Sequence, residues 1–138
     1  ITCANAQIKA SGYAPDSAKT SSLLFGIQWD LVCRYLDGKD GLTTAMINSN
    51  SSIWGRYIDT ASSKPLAGLE RNKKMNIYDF AGNYYEWTLE HATTNSYLPC
   101  SNRGGYYDLK GFSFPASFRG SNTISDALPY VSFRATFY

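Results

Sequence analysis

Between Leu23 and Leu36 the apolar residues form two interleaved series, Leu24, Ile27, Leu31 and Val32, then Phe25, Trp29, Cys33 and Leu36. Recurrence at three, four and seven residues is the period of a helix, and it predicts the main helix here with one side buried. Ala4 to Ala10 predicts a shorter helix closed by Gly12. Pro15 to Ser22 reads as a polar linker of turn formers, and Asp37-Gly38-Lys39-Asp40-Gly41 carries the turn chemistry that stops the main helix. Asn48 to Ser52 reads as a polar loop, and little periodicity is visible from Gly38 to Leu69.

The character changes after Asn76. Ile77-Tyr78-Asp79 is followed by a turn at Ala81-Gly82-Asn83 and by an aromatic strand pattern from Tyr84 to Leu89. A further strand is expected around Arg103 to Tyr107. The last eight residues alternate, with Val131, Phe133, Ala135 and Phe137 on one face and Ser132, Arg134, Thr136 and Tyr138 on the other. Asp108 to Tyr130 mixes Gly, Ser, Pro, Asp and aromatics without a period, so it is expected to be irregular, and loops of that kind carry function.

Composition narrows the class. At 138 residues, with 43% hydrophobic and 17% charged positions, the chain is expected to fold as a single domain, 1–138. The net charge of +2 is spread thinly, and Lys73-Lys74 is the only adjacent basic pair, which argues against nucleic acid or an anionic membrane as partner. No stretch approaches the roughly 20 apolar residues of a bilayer span, so no membrane insertion is expected. The start at Ile1 leads us to expect the C-terminal part of a longer chain. Cys3, Cys33 and Cys100 form neither an even disulfide set nor a metal-ligand spacing, and they leave the compartment unread. Eleven Tyr, seven Phe and three Trp stand out, because tyrosine offers rigid, amphipathic contact area at low entropic cost.

The motifs come in a fixed order. Asn76 to Thr88, reading N-I-Y-D-F-A-G-N-Y-Y-E-W-T, resembles the N-x-x-G-N-x-x-E-W-T block of formylglycine-generating enzymes and their relatives. Arg103-Gly104-Gly105-Tyr106 is similar to that family's R-G-G-S strand, Ser132-Phe133-Arg134 to its G-F-R ending, and Leu23 to Asp30 to the start of its second helix. The resemblance implies an α+β domain, the C-type lectin fold of the formylglycine-generating-enzyme type, with two helices against short antiparallel sheets. The family's N-terminal strands have no counterpart here; they lie upstream, or the version is reduced.

The resemblance carries three functional expectations. The family's oxidases bind copper through two cysteines just after the R-G-G strand, whereas Tyr106 to Ser113 contains none and Cys100 lies on the other side of Arg103, so no enzyme is expected. His91 stands alone, no serine sits in a G-x-S-x-G elbow, and Gly104-Gly105 is better explained by close backbone approach than by phosphate binding. No cofactor is required, but the family's calcium site maps onto the Asp79 side chain, the Gly82 and Tyr84 carbonyls and the Glu86 carboxylate, a hard-oxygen set. The bland alternative has Glu86 pairing locally and Asp79 forming an Asx turn with the Ala81-Gly82 backbone.

The third expectation is ligand recognition. Relatives of this fold serve as variable proteins of diversity-generating retroelements in phages and bacteria, where adenine-directed mutagenesis rewrites C-terminal binding positions. Such rewriting of Asn codons does not yield Lys, Glu, Gln, Met or Trp, and from Tyr106 to Tyr130 only Lys110 belongs to that group. The candidate ligand residues are Tyr106, Tyr107, Asp108, Leu109, Phe112, Phe114, Phe118, Ser121, Asn122, Ile124, Asp126 and Tyr130, a mixture of aromatics and small polar adaptors typical of binding loops. The implied partner is a protein or glycan on a target cell surface, and the implied location is extracellular, on a cell surface or on a phage virion. The alternative is a structural decoration module, which buried aromatics would favour.

Overall fold

The main helix starts later than its periodicity predicts. In the computed structural model, which describes residues 1–58, 66–93 and 96–138, the first helix (α1) is Cys3–Ser11, the second (α2) Gly26–Leu36 and the third (α3) Thr44–Asn48. Leu23 belongs to an extended segment, Ser21–Leu23 (β1), where a polar linker was expected to end. Phe25 is the N-cap of α2, and the Gln28 side chain accepts a hydrogen bond from the Phe25 N–H at 2.9 Å. Trp29, Cys33 and Leu36 of α2 are buried, but Ile27 and Leu31 are 66% and 53% exposed. At about 100° per residue these two lie on the side opposite Trp29, so a helix packed on one side cannot bury both apolar series.

Thr2 caps α1 by accepting from the Asn5 N–H, Gly12 closes it as expected, and Cys3, Ala6 and Ala10 face inward. The five-residue α3 falls in the stretch where no periodicity was visible; it buries only Ile47 and is too short to repeat a pattern.

The remaining strands are Lys73–Lys74 (β2), Ile77–Tyr78 (β3), Tyr85–His91 (β4), Cys100–Arg103 (β5), Arg119–Asn122 (β6), Val131–Phe133 (β7) and Ala135–Phe137 (β8). The main sheet has the order β6-β5-β4-β7, antiparallel except that β7 runs parallel to β4, pairing Tyr85 with Val131 and Trp87 with Phe133. Two small antiparallel pairs, β1-β8 and β2-β3, complete the described sheets. Three expectations are corrected here. The final alternating stretch breaks at Arg134 into strands of different sheets, which leaves Phe137 54% exposed. The irregular segment 108–130 contains β6. The strand expected over Arg103 to Tyr107 instead ends at Arg103, because Gly104 (φ 88°) and Gly105 (φ 74°) turn left-handed. A Cβ on Gly104 would meet the Trp29 ring at 2.9 Å and one on Gly105 the Phe114 carbonyl at 2.6 Å, so the close-approach reading of these glycines holds.

Two cores sit on either side of this frame. One joins Leu24, Trp29, Cys33, Leu36, Ile47, Trp54, Tyr57 and Phe80, with Trp29 stacked on Phe80 at 4.1 Å and its Nε1–H donating to the Ala116 carbonyl. The other joins Cys3, Ala6, Ala10, Leu23, Tyr85, Trp87, Cys100 and Val131. Replacing either fully buried Trp29 or Trp87 by Ala would cost about 3–5 kcal/mol. Buried Arg103 ties β5 to α2 through an ion pair with Asp30 and to β4 through one with Glu90, and Glu90 also holds Arg119 of β6 at 2.7 Å. Among the described residues, no helix is long and apolar enough to cross a membrane.

Candidate ligand-binding site

Tyr84 precedes β4 and Tyr85 opens it, and the two side chains differ in burial. Tyr85 turns inward and is 7% exposed, while Tyr84 is half-buried and meets the edge of Tyr107 at 5.9 Å. Backbone bonds then bring two distant segments to the same end of β4. The Tyr85 N–H donates to the Tyr130 carbonyl at 3.1 Å, and the Tyr107 N–H to the Asn83 carbonyl at 3.0 Å. As a result Tyr106 stacks on Tyr130 at 4.6 Å and 17°, and packs edge-on against Tyr107 at 5.7 Å. Phe114 and Phe118 lie against the Tyr85 ring from beside this group, 4.8 Å apart.

The tyrosines are thus held from beneath. Burial, and after it Asp108 nearby, pushes the Tyr106 phenol above its ordinary pKa, and burial does the same to Tyr85 more strongly. Both hydroxyls stay neutral hydrogen-bonding groups at physiological pH. Asp108 is exposed beside them, and Leu109 is half-buried, its carbonyl accepting from the Ile58 N–H.

The candidate residues do not form one patch. β5 and β6 run antiparallel with Arg103 opposite Arg119 and Cys100 opposite Asn122, so the strands separate two ends of the sheet. Tyr106, Tyr107, Phe114, Phe118 and Tyr130 gather at the Arg103 end. Ser121, Asn122, Ile124 and Asp126 fall toward the Cys100 end: the Asn122 side chain accepts from Asn102, Asp126 accepts from the Thr123 N–H, and the Thr123 side chain, then that N–H, lower the Asp126 pKa. Ile124 is 58% exposed and Phe112 57%, the latter beneath the Lys110 ammonium at 5.8 Å. Of the six aromatics from Tyr106 to Tyr130, only Phe112 is fully exposed and none is buried; the rest are half-buried, each both support and surface. Tyr84 belongs to the tyrosine group although its sequence motif pointed to a metal. No local pattern marks it, because Tyr84 lies just before β4 and the following residues, Tyr85 to Thr88, are all buried.

The block from Asp79 to Glu86 holds a cation of its own. Arg134 grips Glu86 through Nε to Oε2 at 2.9 Å and NH2 to Oε1 at 2.7 Å, and it also donates to the Tyr78 carbonyl at 3.0 Å. Burial alone would push this guanidinium toward its neutral form, but Glu86 and, less, Asp79 hold its pKa above the ordinary arginine value. Asp79 accepts from the Gly68 N–H and the Asn72 side chain, not from the Ala81-Gly82 backbone as the alternative to a metal ligand had it. Gly82 packs against the Arg56 backbone and donates to the Gly104 carbonyl at 2.7 Å. Each carboxylate oxygen of Asp79 and Glu86 thus accepts from a protein donor, and a calcium ion at this block would have to share Glu86 with Arg134.

Two grooves, of about 570 and 580 Å³, open away from the tyrosines. One lies between α1 and the far ends of β4 and β5, lined by Cys3, Ile8, His91, Cys100 and Ile124 among others, and the other is lined by Tyr13, Val131, Phe133 and Phe137 among others.

The frame is that of a mixed α+β protein, with helices laid on small antiparallel and mixed sheets. It is similar to a solved structure, Treponema denticola variable protein 1, with a TM-score of 0.63 and 17% identity over 85% of this chain. This chain spans 47% of the length of that protein. No family model matches the chain. No curated protein matches it.

Proposed function

We propose that this domain is a ligand-binding variable protein of the diversity-generating-retroelement kind, on a C-type lectin fold of the formylglycine-generating-enzyme type. The observation that carries the reading is the tyrosine group of Tyr84, Tyr106, Tyr107 and Tyr130, brought together at one end of the main sheet, partly by backbone bonds, with every ring partly exposed. Preorganised aromatics bind with little entropy left to lose, and flanking Asp108 and Ser113 supply adaptable polar contacts. The similarity in fold to a protein named as a variable protein supports the same reading. The ligand is a protein or glycan of a cell surface, since the grooves lie elsewhere and the tyrosines themselves form the contact surface. The domain works outside the cell or on a virion, without catalysis, and Arg134 supplies the positive charge that a calcium ion would bring.

Probing arrays of cell-surface proteins and glycans with the wild type and with Tyr107→Ala tests this. Specific signals that fall about tenfold or more with Tyr107→Ala and persist with the remote Leu31→Ala would support the site. Signals indifferent to Tyr107 would place binding elsewhere. One observation favours a second reading, a structural decoration module: Phe114, Phe118 and Tyr130 pack against the second core. That reading predicts no specific signal at all.

A further inference from the structure

Two of the three thiols meet across the fold. Cys3 opens α1 and Cys100 opens β5, yet both are buried in the same core and line the same groove. The two thiols share one buried pocket of this core, and the start of α1 is fixed there by the Trp87 Nε1–H donating to the Ile1 carbonyl at 3.1 Å. Trp87 pairs with Asn102 across the sheet, so the strand that carries Cys100 and the chain that leads into Cys3 both meet one residue, the first through the strand pairing and the second through the indole. Cys33 lies in the other core and has no cysteine neighbour there.

We propose that Cys3 and Cys100 are a disulfide-forming pair that staples α1 to the central strand of the main sheet. The co-reactant is a disulfide oxidant of the glutathione class. The thiolate of one cysteine attacks a sulfur of the oxidant, forming a mixed disulfide and releasing one thiol. The thiolate of the second cysteine then attacks the protein sulfur of that mixed disulfide, closing the Cys3–Cys100 bond and releasing the other thiol. Two electrons and two protons leave the cysteine pair and reside on the two thiols of the reduced oxidant. The 570 Å³ groove gives the oxidant its approach.

The thiol chemistry sets the rate. Burial, with help from Cys100, pushes the Cys3 thiol up to about 12, so the attacking thiolate is scarce at neutral pH and closure should accelerate about tenfold per pH unit below that value. The bond would close a loop running from α1 to β5, most of the chain, which is the geometry in which a cross-link restricts the unfolded state most.

The whole chain, reduced and then exposed to oxidised glutathione, is denatured, alkylated and mapped by peptide mass. The expected result is one linked pair, Cys3 with Cys100, an alkylated Cys33, and a melting temperature about 10 °C above that of the reduced protein. Cys33→Ser should keep both results, and Cys3→Ser should abolish the linkage and the shift. Recovery of Cys3 and Cys100 alkylated or separately glutathionylated, or a bridge involving Cys33, would overturn the proposal without touching the tyrosine site.

Discussion

Arg134 holds both carboxylate oxygens of Glu86, at 2.7 and 2.9 Å, so the glutamate of the N-x-x-E-W block is answered by the arginine of the final strand pair. Side chains 48 positions apart thereby clamp β4 to the β7-β8 junction. Removing the carboxylate leaves a partly buried charge with only the weaker pull of Asp79: Glu86→Gln should lower stability by about 3 kcal/mol, the lower end for buried pairs because Arg134 is about a third exposed. Urea unfolding measures it. Calorimetry with calcium on the wild type should show no binding, and a heat signal that disappears in Glu86→Gln would reinstate the ion.

Gly104→Ala should destabilise the protein by about 3 kcal/mol, since φ of 88° strains an alanine and its methyl presses on the Trp29 ring. The near-UV circular dichroism of Trp29 should change with it. A neutral result would mean that Trp29 repacks at no cost.

The tyrosine group should divide by depth. Tyr85→Ala should cost about 3–5 kcal/mol, because its ring is the floor on which Tyr106, Phe114, Phe118 and Tyr130 rest. Tyr107→Ala should cost about 1 kcal/mol or less while weakening ligand binding. Thermal unfolding of the two variants side by side checks the contrast, and equal losses would mean that Tyr107 is core.

Alkaline pH should destabilise the reduced protein through its buried thiols. Burial pushes Cys33 from 9.0 up to about 12, so folding favours the neutral thiol. That contribution is complete below pH 9 and is lost as pH rises toward 12, at about 1.4 kcal/mol per pH unit for one such group. Stability measured across this window should fall less steeply in Cys33→Ala. An unchanged slope would assign the alkaline loss to other groups, such as the raised Tyr85 and Tyr106.

Pattern and motif located β4 and most of α1 and α2, because apolar periods and turn glycines act locally, and they reached β5 only at Arg103. They failed where geometry is non-local. Ile27 and Leu31 continue the helical series but face away from the only core α2 touches, and the period of the last eight residues runs through Arg134 although two different sheets share it. The site was legible in the same uneven way. Tyr106, Tyr107 and Tyr130 were named, and the structure assembles them; Ser121, Asn122, Ile124 and Asp126 were named beside them in sequence, and antiparallel pairing carries them to the other end. For Tyr84 the motif speaks only for the backbone carbonyl, and its side chain meets Tyr107, 23 residues away. The partner that neutralises Glu86 lies 48 residues away, beyond the reach of any local pattern.

The central claim, that the surface between Tyr106 and Tyr130 is a rewritten binding face, is tested most directly by sequencing the DNA around the gene. The account predicts a near-copy of the codons for this segment, differing at adenines, beside a reverse transcriptase gene, with the substituted positions including the codons of Tyr106, Tyr107 and Tyr130. A locus with neither the copy nor the reverse transcriptase would contradict it.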